Sequence, residues 1–510
     1  MPRVAKPRAA AATCRTGLRY SRGMDARAAC DPEGPSGRIV ATIGGPDSVA
    51  YPDLEEIIGH GTIRLNLAFA GPHNFEELRT LIRRIRARRG DNICILLDCV
   101  GPRVKLGPLP KSGIELVPGA DITLTTREVA ATAAFLPSVF SELPAVARAG
   151  MPVLLAEGRM RLDVIGVEGS EVRCRVVRGG LLKKRGLNLP ECDLPVPALS
   201  ERDRRDLDAL LDEEVDMVAL SFVRDVEDVR ELREFLKRRR RPDVRVMAKI
   251  ETRQAVAAID AIAEVSHALM VARGDLWAEL ANPWELPRVT NRIIRAGNRA
   301  GIPVVTATQT LSSMQERDIP SRAEVDELYY LLREGSDAIM GSEEFAAGEF
   351  PRQVAEAIRS VSREVDRERW DVLHAGEAPV RDLSSGTLDR ERAAVVWAEG
   401  TPRVRCVIAI SSFGTVVRRI HRERCQKPLV TITNQRATAR YLQLYGVYNV
   451  WVDYKWEDED HAAIARAGLA ALGWRARPGS DDTALLIVNH HSAPGRRFSK
   501  IEEIPLPPAV

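Results

Sequence analysis

Eight short apolar runs follow one another between Arg38 and Gly341, most of them separated by amphipathic segments. They are Arg38–Ile43, Thr62–Leu67, Ile93–Leu97, Val215–Ser221, Val244–Ile250, Ala268–Ala272, Pro303–Ala307 and Asp337–Gly341. Between them, Phe75–Ala87, Val226–Arg240 and Val289–Arg299 space their apolar residues as helices do. A strand-then-helix rhythm repeated eight times predicts an α/β fold, a (β/α)8 TIM barrel. The runs end in polar residues: Arg64 and Asn66, Asp98, Ser221, Lys249 and Glu251, Asp275, Thr308 and Gln309, Ser342 and Glu343. In a barrel these ends share one face, the face that carries chemistry. A packed core alone would not need polar groups at so many equivalent positions.

Two segments carry the most chemical information: Met247-Ala-Lys-Ile-Glu251 and Met270-Val-Ala-Arg-Gly-Asp275. Lys249 and Glu251 are two residues apart, so on a strand they point the same way. Asp275 follows one strand–helix unit later. A lysine beside two carboxylates on neighbouring strand ends can hold a divalent metal and an anionic, phosphorylated substrate together.

The rhythm breaks after the third run. Residues 104–189 hold short β-like stretches (Asp121–Thr125, Pro152–Leu155, Arg161–Ile165, Glu171–Val177) punctuated by Gly and Pro. They predict a small all-β insertion that hangs over the site as a lid. The barrel is therefore expected over 38–103 and 190–375. From 376 to 510 the chain restarts as a C-terminal α/β regulatory domain. Its predicted strands are Val404–Ile410, Pro428–Ile432, Asn449–Asp453 and Ala484–Asn489, and its helices Thr415–Arg422 and Ala437–Leu444.

Lys+Arg 74 against Asp+Glu 71 is too balanced to imply a nucleic-acid or membrane partner, and no stretch is apolar enough to span a bilayer. The basic run Lys237–Arg241 reads as a solvated helix end favoured by the helix dipole. The eight cysteines show no metal-type spacing, which fits a reducing, cytoplasmic setting better than a disulfide framework. Residues 1–37 are rich in Ala and Arg, with no acid before Asp25. They read as a disordered tail, an overcalled start with Met24 as initiator, or a transit peptide to a mitochondrion or plastid.

The order of barrel, β insertion and C-terminal α/β domain resembles the pyruvate kinase family. Nine segments carry the resemblance: Ile39–Gly44, Arg64-Leu-Asn66, Leu97-Asp98 with Gly101-Pro102, Arg185–Pro190, Ser221-Phe-Val-Arg224, Ala248–Glu251, Met270–Leu276, Ala307-Thr-Gln309 and Ser321–Val325. Each is weak alone, whereas nine in the right order are highly specific.

The resemblance implies transfer of the phosphoryl group of phosphoenolpyruvate to ADP, giving pyruvate and ATP, a step of glycolysis. It implies Mg2+ (or Mn2+) held by Glu251 and Asp275, with Lys249 stabilising charge on the phosphoryl group and the enolate oxygen. Arg64 would bind the phosphate. Gly274, Asp275 and Thr308 would hold the carboxylate, and Thr308 would lie near the point of enolate protonation. Lys105 and Arg185 would contact the nucleotide. Ser411, Ser412 and Thr415 would take a sugar-phosphate effector, with a bare helix N-cap as the other reading. A homotetramer is the family default.

Several positions depart from the family pattern. Many members bind K+ through Asn, Ser and Asp side chains. Asn66 and Asp98 match, but the Ser position is Ala68, and Gly-Pro-Glu reads Gly101-Pro102-Arg103. The Arg103 cation would replace the ion, so K+ is expected not to be required. The other reading of Arg103 is a solvated loop charge. The family histidine after Asn66 is absent, because Phe69 stands there. An arginine has become Lys105, and a glycine has become Trp277. These changes gather around the nucleotide pocket and rim. They leave two further hypotheses open: an enzyme of the same fold acting on another phosphorylated or keto-acid substrate, and a non-catalytic regulatory subunit.

Overall fold

The computed structural model describes residues 12–13, 19–20, 38–45, 48–102, 104–156, 158–190, 192, 196–280, 282–374, 389–454, 460–492 and 496–508. Most of the 1–37 tail thus lies outside the described residues. Within it, Ala12–Thr13 pairs with Arg19–Tyr20, and Arg19 and Tyr20 pair with Asp453 and Val452 of the C-terminal sheet.

Eight parallel strands close into a barrel. They are β1 (Ile39–Thr42), β2 (Gly61–Asn66), β3 (Ile93–Asp98), β4 (Met217–Leu220), β5 (Arg245–Ile250), β6 (Ala268–Ala272), β7 (Val304–Ala307) and β8 (Ala338–Gly341). All eight expected strands are present, differing from the sequence reading by a residue or two where the chain bends into loops. The alternation of side chains explains the burial. Ile63, Leu65, Ile93, Ile95, Leu97, Val246, Ala248 and Ile250 face outward and pack in one core with the surrounding helices. Val40, Leu96, Met217, Met247, Met270, Val305 and Met340 face inward in a second. Towards the C-terminal ends the inward positions turn polar: Leu96 gives way to Asp98, Ala219 to Ser221, and Met247 to Lys249 and then Glu251. Period-two alternation thus delivers the polar set to the barrel mouth.

Between β3 and β4 the insertion forms a six-stranded sheet, with a two-stranded ribbon of Ile114–Leu116 and Gly180–Leu182. It has its own core, in which Leu106, Leu124, Val153, Leu155, Leu162 and Val172 are buried. The basic run does more than sit in solvent. Arg241 donates to the carbonyls of Leu211, Glu213 and Val215, and Arg239 pairs with Asp208.

The C-terminal part packs β9 (Val404–Ile410), β10 (Leu429–Thr433), β11 (Tyr448–Asp453) and β12 (Thr483–Ser492) in parallel, and adds an antiparallel strand β13 (Arg496–Pro505). The sequence reading did not anticipate β13. The C-terminal part seats against the N-terminal ends of the barrel strands, opposite the polar mouth. Tyr441 and Tyr445 join the barrel's inner core. Tyr441 donates to the His267 carbonyl at 2.6 Å, Arg440 to Asp216 at 2.6 Å, and His421 Nε2 lies 2.7 Å from Asp337 Oδ1. Gly301, in the left-handed region at φ +70°, lets the Arg418 backbone come so close that a side chain there would collide with it. Among the described residues no helix is long and apolar enough to cross a membrane.

Candidate active site

The barrel mouth and the insertion enclose a cleft of about 750 Å³. Arg64, Asn66, Lys105, Arg185, Gly274, Asp275 and Thr308 all line it. At its floor inward residues of β1, β2, β3 and β5 come together, with Ser221 just beyond β4. Arg64 of β2 donates through Nε to Asp98 Oδ2 at 2.6 Å and through Nη1 to Thr42 Oγ1 at 3.1 Å. Lys249 of β5 lies 3.2 Å from Asp98 Oδ1 and 3.0 Å from Glu251 Oε1. Its best-aligned partner is neither carboxylate but Ser221 Oγ, at 2.6 Å. Both carboxylate oxygens that face Lys249 are buried and lack a well-directed hydrogen bond despite the short distances. The Phe222 N–H donates to the other oxygen of Glu251 at 2.6 Å.

Burial sets the electrostatics. It disfavours charge on Lys249, but Asp98 and Glu251 outweigh it and hold the ammonium pKa above its ordinary value. Burial likewise opposes charge on Asp98, yet Lys249 and Arg64 pull its pKa down. Glu251 goes the other way. Burial, with Asp275 beside it, raises its pKa against the pull of Lys249. Glu251, a buried carboxylate that resists ionising beside Asp275, is suited to a divalent cation, which lowers the cost of charging it.

Asp275 sits in the first turn of the short helix Arg273–Glu279 that follows β6. Gly274 N–H donates to Thr308 Oγ1 at 2.9 Å, and Arg273 holds the Thr308 carbonyl at 2.8 Å. Thr308 and Gln309 adopt positive φ, +68° and +57°, which L-residues rarely do. Strain of this kind is concentrated at functional sites. Among the described residues no three His, Cys, Asp or Glu side chains gather into a metal cluster. Glu251 and Asp275 interact electrostatically, and a divalent ion held by them would take its further ligands from substrate oxygens and water, as is usual for Mg2+ in phosphate sites. Glu251 Oε1, buried against Lys249 but without a well-directed hydrogen bond, fits that arrangement.

The remaining expected residues fall as follows. Asn66 accepts from Ala68 N–H at 3.0 Å and caps the turn Leu67–Phe69. Phe69 is 74% exposed on the cleft rim. Lys105 bridges to Gly186 where the two ends of the insertion meet, and Arg185 donates to the Leu106 carbonyl at 2.8 Å. Arg103 lies outside the described residues. Ser411, Ser412 and Thr415 are not in this cleft. They stand at the end of β9 and the start of the helix Thr415–Arg422, whose N-cap is Gly414 rather than a serine. Ser411 and Ser412 are buried, and Ser412 hydrogen-bonds Asn434 at 2.6 Å, which leaves Thr415 exposed.

Sequence reasoning missed three groups. Thr42 supports Arg64. Asp203 holds the loop after β3, and the pattern Ser200-x-x-Asp203 of a capping box could have revealed it. Glu279 lines the cleft with its pKa pushed up to about 7, by burial first and by Asp275 in addition, against Arg253. No local signal announces Glu279, whose neighbours Asn188, Arg253 and Asp275 come from separate parts of the chain or from the turn before it.

Comparisons with known proteins agree with this geometry. Residues 35–355 match the family model for the pyruvate kinase barrel domain. A pyruvate kinase of Bacillus licheniformis is 34% identical over 422 residues, covering 81% of this chain and 71% of that protein. One of Methylorubrum extorquens is 34% identical over 443 residues, covering 85% and 90%. The crystal structure of a pyruvate kinase from Cryptosporidium parvum superposes with a TM-score of 0.77 at 27% identity, over 92% of this chain and 96% of that one. With a barrel-domain match over more than half its length, the chain belongs to the pyruvate kinase family of phosphotransferases.

Proposed function

We propose that this cleft transfers the phosphoryl group of phosphoenolpyruvate to ADP, with Mg2+ or Mn2+ and without a requirement for K+. The observation that carries the reading is the buried Lys249, placed between Asp98 and Glu251 with Arg64 beside it. In phosphoryl transfer most of the catalysis is positioning and charge neutralisation, and this cluster supplies both. Arg64, held at Nε by Asp98, presents its guanidinium to the phosphate. Lys249 stabilises negative charge on the transferring group and on the enolate oxygen left behind. Gly274 and Thr308, joined by a hydrogen bond, orient the substrate carboxylate with the adjacent Asp275. Glu251 and Asp275 would hold the divalent ion, which when bound supplies positive charge to the carboxylate and enolate oxygens.

Three features support independence from K+. Each oxygen of Asp98 faces a cation of the chain, Arg64 or Lys249. Ala68 has no hydroxyl to offer an ion. Arg103 puts a fixed positive charge in the sequence where a glutamate is usual in the family. Ser411, Ser412 and Thr415 are proposed as the effector loop, in a cytoplasmic homotetramer.

A coupled assay with phosphoenolpyruvate, ADP and Mg2+, run with and without K+, tests the proposal. Equal turnover in both is expected. Strict K+ dependence removes the cation argument, and no turnover with any nucleoside diphosphate removes the kinase.

The exposed Phe69, where the family has a histidine, favours a second reading: the same enolate chemistry on another phosphorylated or keto-acid substrate. Solvent deuterium entering the methyl group of pyruvate, without phosphoryl transfer, would select it.

A further inference from the structure

The hydrogen bond from Lys249 to Ser221 does not stop there. Ser221 is fully buried at the end of β4, and its hydroxyl donates to the Cys99 carbonyl at 2.7 Å. A hydroxyl has one proton, so with that proton committed Ser221 can only accept from Lys249. The Cys99 carbonyl is itself held in place. Its own N–H donates to the Ala219 carbonyl at 3.0 Å. The next two N–H groups, of Val100 and Gly101, donate to the two carboxylate oxygens of the fully buried Asp203, at 2.7 and 3.1 Å. Gly101, at φ +68°, backs onto Ser221 so closely that a Cβ there would sit 2.9 Å from Ser221 Cβ. This loop is the neck from which the insertion springs. Val104 and Leu106 then pair with Leu187 and Arg185 of the returning chain.

We propose that Ser221 and Asp203 are positioning residues. Through the Cys99 carbonyl they tie the aim of the Lys249 ammonium to the neck of the β insertion. Lys249 has a four-carbon stem with three rotatable donors, and the two carboxylates facing it are poorly aligned. Ser221, its shortest partner at 2.6 Å, fixes the direction of one N–H and thereby sets the directions of the others towards Asp98 and Glu251. Asp203 begins the helix that follows the insertion and grips the loop that precedes it. A shift of the neck is thus passed to the lysine by one carbonyl and one hydroxyl. The inference rests on the phosphoryl-transfer reading of the cleft.

The test uses the full-length protein and the variants Ser221→Ala, Ser221→Thr and Asp203→Asn. Turnover of wild type with phosphoenolpyruvate, ADP and Mg2+ first establishes the reading itself. Misaiming a group at the reacting centre by about 1 Å costs roughly 10²-fold. Ser221→Ala is therefore expected to lose that much in kcat with little change in KM for phosphoenolpyruvate. Ser221→Thr, which keeps the hydroxyl, recovers most of it. Asp203→Asn lowers kcat in the same direction and raises KM for ADP as the neck loosens. A crystal structure of Ser221→Ala gives a readout independent of activity, in which Lys249 Nζ leaves its present place. If Ser221→Ala does not fold, Asp203→Asn decides by the same kcat loss. A kcat within twofold of wild type in Ser221→Ala, equal loss in the Ala and Thr variants, or an unmoved Lys249 overturns the proposal.

Discussion

Lys249 Nζ near the end of β5 and Glu251 Oε1 one residue beyond it face each other at 3.0 Å, and both are almost completely buried. Removing one partner of such a pair leaves an uncompensated charge. Lys249→Met is expected to lower kcat by about 10²–10³-fold, the scale seen when a preorganised charge-stabilising donor is removed. The same change leaves Glu251 without its cation and Asp98 with Arg64 alone, and costs about 3–5 kcal/mol of stability. Steady-state kinetics and urea unfolding measure the two effects separately.

Arg64 holds Asp98 through Nε and Thr42 through Nη1, and its guanidinium lines the cleft. Arg64→Lys keeps the charge but loses the planar fork. A hydrogen bond to a charged group contributes about 1.5–3 kcal/mol, so kcat/KM for phosphoenolpyruvate should fall at least about tenfold. An unchanged kcat/KM removes Arg64 from the phosphate site.

The K+ argument can be reversed by substitution. Arg103→Glu combined with Ala68→Ser restores the residues usual in K+-dependent members. The double variant is expected to be nearly inactive without K+ and to recover on its addition, while wild type ignores the ion. Activity titrated with KCl against tetramethylammonium chloride reads the outcome.

Glu279 has a folded pKa of about 7 against an ordinary 4.5, because burial and the nearby Asp275 disfavour its charge. Folding therefore favours the protonated form. Its stabilising contribution is full below about pH 4.5 and is lost as pH rises through about 7. The stability difference between wild type and Glu279→Gln should change across that window and level off above it. A pH-independent difference would mean that Glu279 titrates normally.

Asp337 behaves in the opposite sense. Burial opposes its charge, but His421 and Arg424 of the C-terminal domain outweigh it and hold its pKa at about 2, below the ordinary 3.8. Its contribution is present above about pH 3.8 and lost as pH falls through about 2. Asp337→Asn is expected to cost about 2 kcal/mol at neutral pH, since each pKa unit is about 1.4 kcal/mol. Thermal unfolding at neutral and acid pH checks it, with the variant losing less on acidification.

Much of this molecule is legible in one dimension. Apolar runs of strand length, spaced by amphipathic helices, mark eight barrel strands because backbone periodicity is local. Period-two alternation puts Lys249 and Glu251 on one face before any tertiary contact is known. The motif segments point to the same family that the whole-chain comparisons show. Other features have no local signal. Arg64, Asp98 and Lys249 stand far apart in sequence, and only barrel closure brings them within hydrogen-bonding distance. Ser221 shows as a polar strand end, but its commitment to the Cys99 carbonyl depends on the neighbouring strand. The raised pKa of Glu279 and the depressed pKa of Asp337 follow from burial and from partners supplied by other parts of the chain. Sequence determined the elements and the chemical character of their ends, because those depend on neighbours along the chain. Tertiary structure alone decided which ends meet, which oxygens are left without a donor and how Lys249 is aimed, because distance and dielectric belong to the closed barrel.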